Sequence, residues 1–171
     1  MGQYRPRRNA AACGPRTMRW NQLEAEDCPV ARAMSVFGDR WTILILRDAL
    51  RGVTRFDEFH RRLDCSRAMV SKRLAHLVAC GVFETRPYQT KPVRHDYLLS
   101  ERGRALGPVL MMITEWAEDW MPKSSTRTIH RRHRDCGAVF RPVIVCSECA
   151  APLAPGSVEY VDPHAIPAPA T

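Results

Sequence analysis

The sequence predicts a mainly α-helical domain with one small β-hairpin, an α+β fold. Apolar residues recur at spacings of three and four through most of residues 28–121. That period gives way to short, alternating, branched or aromatic runs only over residues 82–99. Capping and stop residues stand between the helical runs, so the chain divides into short helices rather than one long one.

Each element has its own signal. Val30, Ala33, Met34 and Phe37 follow helical spacing as far as Gly38. Asp39 can cap the next helix, where Trp41, Leu44, Ile45 and Leu46 leave little polar face, as in a central, buried helix. After Gly52, Thr54 and Asp57 make a capping-box-like start for a helix with Phe56, Phe59 and Leu63 on one side. Asp64 and Cys65 form a short turn, and Ser66 caps a helix whose inner face is Val70, Leu74, Leu77 and Val78. Gly81 stops it. Residues 82–88 and 94–99 read as the hairpin strands, with 89–92 as a long tip. Ser100 then opens one long helix carrying Leu106, Val109, Leu110, Ile113, Trp116 and Trp120, closed by Pro122. Two short helices joined by a tight turn and followed at once by a hairpin match the winged helix-turn-helix plan.

Composition narrows the function. The 171 residues are 45% hydrophobic and 26% charged, a globular balance. Lys and Arg number 26 against 18 Asp and Glu, a formal net charge of +8 that suits an anionic partner. No apolar run nears the ~20 residues of a bilayer span. The N-terminus lacks the apolar core of a signal peptide, so a cytoplasmic chain with no membrane partner is expected. Seven unevenly spread cysteines read as thiols or metal ligands, not as a disulfide framework. There is no G-x-S-x-G, P-loop or dinucleotide glycine pattern and no carboxylate pair in a plausible cleft, so an enzyme is not expected. The expected organisation is a basic arm over 1–26, the winged domain over 27–122, a basic Cys/His-containing extension over 123–162, and a tail over 163–171.

The helix beginning at Ser66 carries the functional argument. Its inner face leaves Ala68, Met69, Lys72, Ala75 and His76 outward, flanked by Arg67, Ser71 and Arg73. A major-groove reader needs polar or cationic side chains near its N-terminus and small neighbours that allow close approach. Ser66, Arg67, Ser71, Lys72 and Arg73 are therefore the expected recognition surface, with Asp64 as the nearby acid. Arg94 on the hairpin, and Thr54 and Arg55 at a helix start, are placed for phosphate or minor-groove contact. A basic helix alone is commonly a solvated face. The ordered combination of turn, capped basic helix and basic hairpin is what points to duplex DNA. The rival is a nucleic-acid binder without sequence preference; it requires exposed stacking aromatics, for which Tyr88 is the candidate.

These residues resemble the HxlR-type winged helix-turn-helix regulators of bacteria. Cys28-Pro29-Val30 is similar to that family's domain start, as is the run from Gly38-Asp39-Arg40-Trp41 through Leu46. Arg55-Phe56-Asp57-Glu58-Phe59 resembles its second-helix signature, and Ser71-Lys72-Arg73-Leu74 with Gly81-Val82 its recognition helix and exit. Pro92-Val93-Arg94-His95-Asp96-Tyr97 and Leu99-Ser100-Glu101-Arg102-Gly103 are similar to the wing and the start of the last helix. His95 and Cys65 depart from the usual pattern. The resemblance implies a homodimer on an inverted-repeat operator, a repressor or activator of nearby genes, and in some members a response to an oxidant or small molecule. The apolar surplus of the last helix also suits a dimer formed through terminal helices.

Two further features concern cysteine. His133-x2-Cys136 and Cys146-x2-Cys149 have the spacing of zinc-knuckle pairs, and a zinc-ribbon-like extension stabilised by structural Zn²⁺ is expected, with His130 as an alternative to His133. Val139, Phe140, Val143, Ile144 and Val145 are expected to form a small hairpin between the pairs. No organic cofactor is indicated. Cys28 stands just before a helix N-terminus, a place that favours a negatively charged sulfur, and is the candidate redox residue.

Overall fold

The computed structural model describes residues 27–121 and 130–161. The arm expected over 1–26, residues 122–129, residue 162 and the tail expected over 163–171 lie outside the described residues. The chain divides into two compact units between Arg104 and Ala105. In this division the last long helix groups with the C-terminal segment.

In the first unit, Asp39 caps α2 (Arg40–Leu50) as expected, accepting hydrogen bonds from the Trp41 and Thr42 amides at 2.9 and 3.2 Å. It follows α1 (Pro29–Phe37). Then come α3 (Phe56–Arg62) and α4 (Arg67–Ala79), the latter capped by Ser66 through the Met69 amide at 3.2 Å. Gly81 follows with φ +67°, the left-handed conformation that stops α4. Ile45 and Leu46, Phe59, and Val70, Leu74 and Leu77 bury the inner faces of α2, α3 and α4. Each such side chain contributes ~1.5–3 kcal/mol on burial. Phe83 extends this core into the hairpin, 6.2 Å from the Phe59 ring and 6.3 Å from Tyr97.

Three details differ from the sequence expectation. Thr54 does not cap α3: Arg55 holds the N-cap position without a side-chain bond, because residues 54 and 55 are drawn into bridging with the hairpin. The hairpin, β1 (Phe83–Thr90) and β2 (Val93–Leu99), has a tip of only Lys91 and Pro92. Gln89 and Thr90 find ladder partners in Arg94 and Val93, and the irregularity falls between Pro87 and Gln89. Finally, the long helix expected from Ser100 is two, α5 (Glu101–Arg104) and α6 (Leu106–Trp120). The break at Ala105 places Pro108 in the first turn of α6, where its missing N–H is not needed.

Ser100 and Gly103 close the first unit. The Ser100 hydroxyl donates to the Gly81 carbonyl at 2.7 Å and accepts from the Gly103 amide at 3.1 Å. A Cβ at Gly103 would collide with the Val82 carbonyl and the Leu99 side chain.

The second unit contains α6 and the segment 130–161. β3 (Arg131–Arg132) pairs with β4 (Val139–Phe140), and Val145 bridges Pro152. The expected single hairpin between the ligand pairs is thus replaced by two hairpins, each enclosing one pair. Glu115 of α6 is buried and accepts from Arg131 at 2.7 Å and Arg141 at 2.8 Å. Arg141 also reaches Asp119 at 2.7 Å, and these carboxylates hold its guanidinium well above its ordinary pKa. Among the described residues no helix is long and apolar enough to cross a membrane.

Replacing Gly103 by alanine is expected to cost ~1–3 kcal/mol, because the methyl meets backbone rather than a movable side chain. Urea denaturation midpoints of the two proteins measure this; an unchanged midpoint contradicts the close approach.

Candidate nucleic-acid interface

The N-terminus of α4, the start of α3 and the inner side of the hairpin meet at one cleft of about 250 Å³. Phe56, Asp57, Arg67, Tyr88, Arg94 and His95 are among its lining. The turn after Leu63 and the Ser66 cap set the direction in which α4 leaves, and thereby aim Arg67 at Asp57. Arg67 reaches that carboxylate at 2.9 Å and lies 4.8 Å above the Phe56 ring. Arg94 approaches the other oxygen of Asp57 at 3.6 Å. Two of the expected DNA contacts therefore share one acid.

Asp57 is the member of this cleft that sequence reasoning missed. The sequence points to Asp64 as the acid beside α4 and to Asp57 as part of a helix start. The missing signal is tertiary: 37 residues separate Asp57 from Arg94, and only the folding of the hairpin against α3 joins them.

Thr54 and Arg55 are held by Asp96, which is buried in β2. The Thr54 hydroxyl lies 3.1 Å from its Oδ1, and the Arg55 Nε 3.7 Å from the same oxygen. The Tyr97 amide donates to the Thr54 carbonyl at 2.8 Å. Arg55 also covers one face of Tyr88, with its guanidinium carbon 4.4 Å from the ring centre. That face is closed to base stacking.

Along α4, Ala68, Ser71, Lys72 and Ala75 are exposed and form the small-and-cationic outer face that was expected. Arg73 is not part of it. Its side chain is 24% exposed and turns to the N-cap of α2, where Nη2 meets Asp39 at 3.0 Å. Its Nε is buried without a partner among the described residues. Helical geometry explains the correction: residue 73 neighbours the inward Val70, Leu74 and Leu77, on the side that packs toward α2. His76 is likewise half-buried, with Nε2 3.1 Å from the Val36 carbonyl oxygen.

The cysteines separate into three settings. Cys28 is exposed at the N-cap of α1, with no side-chain capping bond. Burial and the carboxylate of Asp64 push the Cys65 thiol up, so it holds its proton more firmly than a free cysteine. In the second unit, His133 Nδ1 lies 3.3 Å from Cys136 Sγ. The backbone N–H groups of Cys149 and Glu148, and the Cys149 thiol, hold the Cys146 thiol down. His130 instead lines a separate cleft with Glu115, Arg131 and Arg141. The structure brings together each of the two expected pairs. No three His, Cys, Asp or Glu side chains among the described residues converge as an ion-holding group.

Comparison with known proteins bears on the family and the fold. A family model described as HxlR-like helix-turn-helix matches residues 36–125, more than half of the chain. An uncharacterized HTH-type transcriptional regulator of Mycobacterium tuberculosis, Rv3095, is 39% identical over 120 residues, covering 70% of this chain and 76% of its own length. Among solved structures, PA1607, a candidate transcription factor, is 33% identical with a TM-score of 0.71, covering 82% of this chain and 98% of that one. The redox regulator HypR in its reduced form is 30% identical with a TM-score of 0.51, covering 54% and 92%.

The two neighbouring cations of α4 are expected to behave differently in stability measurements. Arg73→Ala removes a half-buried ion pair and should cost ~1–2 kcal/mol. Lys72→Ala should stay within ~0.5 kcal/mol of the parent. Urea unfolding followed by circular dichroism checks both; equal costs would return Arg73 to the outer face.

Proposed function

The chain belongs to the HxlR-like helix-turn-helix family of transcriptional regulators, and on that premise we propose that it is a sequence-specific repressor that binds an inverted-repeat operator as a homodimer. The observation that carries this reading is the outer face of α4. Lys72 and Ser71 stand exposed between Ala68 and Ala75, and among the described residues Lys72 has no ion-pair partner. Small neighbours let the helix sink into a major groove, and an unpaired cation is free to meet a base edge. Arg67 and Arg94 leave Asp57 for phosphate, while Thr54 and Arg55 approach the backbone from the start of α3.

The dimer rests on α6. Ile113, Trp116 and Trp120 are exposed there, the tryptophans by 59% and 75%. A second copy of α6 covers this stripe, and two-fold symmetry of the protein then matches two-fold symmetry of the operator. Occupation of promoter duplex by such a dimer excludes polymerase, which gives the repressor sign. Cys28 supplies the oxidant response: it is exposed, unlike the better-protected Cys65, and HypR is a redox regulator of similar fold.

Binding of the purified protein to fragments of its own promoter region, followed by fluorescence anisotropy across a salt series, tests the reading. Lys72→Ala should weaken operator binding by about 10- to 100-fold while leaving random duplex nearly unchanged. Arg94→Ala should weaken both and lower the salt slope by about one. Equal affinity of the parent protein for operator and scrambled duplex would reject sequence-specific regulation. Sedimentation of Trp116→Arg reads the dimer separately, with a monomer expected. Diamide should weaken operator binding by the parent protein and spare Cys28→Ser; equal sensitivity removes Cys28 as the sensor.

A further inference from the structure

We infer that residues 130–161 form a zinc ribbon in which His133, Cys136, Cys146 and Cys149 bind one structural Zn²⁺, a site independent of the DNA-binding reading. The observation behind it is a repeated backbone frame. In the first hairpin the His133 amide donates to the Ala138 carbonyl at 2.8 Å, and the Gly137 amide to the His133 carbonyl at 2.9 Å. In the second, the Cys146 amide donates to the Ala151 carbonyl at 2.9 Å, and the Ala150 amide to the Cys146 carbonyl at 2.9 Å. Counted from the first ligand of each pair, both turns bond position five to one and position one to six.

Both turns also place their fifth residue in the left-handed region, Gly137 at φ +70° and Ala150 at φ +57°. Glycine adopts this conformation without strain, but alanine pays roughly 1–2 kcal/mol for it. The second turn keeps that conformation without a glycine, so the two turns match in shape despite different residues. In the first turn the ligand pair is already close, with His133 Nδ1 3.3 Å from Cys136 Sγ.

Energetics point the same way. No residue from 130 to 161 is buried, and Val139, Val143, Ile144 and Val145 are all exposed. Ladder pairing is confined to two residue pairs of β3 and β4 and one bridge between Val145 and Pro152. A segment of this size without a core requires another source of stability, and structural zinc supplies it. Three thiolates and one neutral imidazole fill a tetrahedral set with ligands that Zn²⁺ favours. The ribbon forms when the two hairpin tips approach, each keeping its hydrogen-bonded frame, and the three thiols release their protons on binding. His133 is the nitrogen ligand because it occupies the first position of a frame, whereas His130 precedes the hairpin and lines the Glu115 cleft.

Full-length protein, reduced and purified after growth with added zinc, is analysed for metal by mass spectrometry. It is then exchanged with Co²⁺ for visible absorption. About one zinc per chain is expected, with the intense d–d bands of a tetrahedral, thiolate-rich cobalt site. Cys136→Ser, Cys149→Ser and His133→Ala should each lower zinc affinity at least 10-fold, while Cys28→Ser and His130→Ala retain the metal. Circular dichroism of the variants confirms that the helices persist, so loss of metal is not loss of the whole fold. Parent protein with less than a tenth of an equivalent of zinc, or a variant lacking Cys136, Cys146 and Cys149 that keeps its zinc, overturns the site. Retention by His133→Ala with loss in His130→Ala overturns the ligand set.

Discussion

Asp96 is the residue on which the cleft side of the first unit depends. Its carboxylate is buried in β2 and receives the Thr54 hydroxyl and the Arg55 guanidinium, while the neighbouring Tyr97 amide bonds the Thr54 carbonyl. These contacts fasten the hairpin to the start of α3 across more than 40 positions of sequence. A buried carboxylate without such partners is costly, so the link between α2 and α3 and the wing must meet for the charge to be tolerated. Once they meet, Arg55 lies over Tyr88, and Arg94 comes within reach of Asp57. The cleft beside α4 combines that fastening with the packing of Phe83 on Phe59.

The same logic recurs with a different purpose in the second unit. Glu115 is buried in α6 and holds Arg131 and Arg141 on its two oxygens. This joins the first tail hairpin to a helix that otherwise shows its apolar residues to solvent. Asp57 differs from both, because it is exposed, as are the arginines it holds. Exposed pairs contribute little to stability. Asp57 holds the geometry of two arginines rather than stabilising the fold.

Much of the helical framework was legible because its signals are local. Asp39 and Ser66 cap the helices they were expected to cap, and Gly81 stops α4 in the left-handed conformation. Ile45, Leu46, Phe59, Val70, Leu74 and Leu77 were readable as core from spacing alone. The errors fell where a local preference met a distant partner. Thr54 has the chemistry of a cap, but the hairpin claims its backbone and hydroxyl. Residues 89 and 90 look like loop, but opposite strand positions complete their ladder. Arg73 looks like its neighbours Ser71 and Lys72, yet it turns to a carboxylate 34 residues away.

The sequence by itself determined the order and type of the helices, the presence of a hairpin after α4, and which side of α4 is small and basic. Those properties follow from hydrophobic period, capping chemistry and the absence of side-chain bulk, all of which act within a few residues. Only the tertiary structure decided which arginines share Asp57, that Arg73 braces α2, that the last helix breaks before Pro108, and that the tail carries two matching turns. The shared Asp57 and the Arg73 brace depend on groups brought together from distant positions, and ion pairing has no periodicity that a linear reading can follow. The helix break and the two turns are local, but the hydrophobic pattern alone does not fix their backbone geometry.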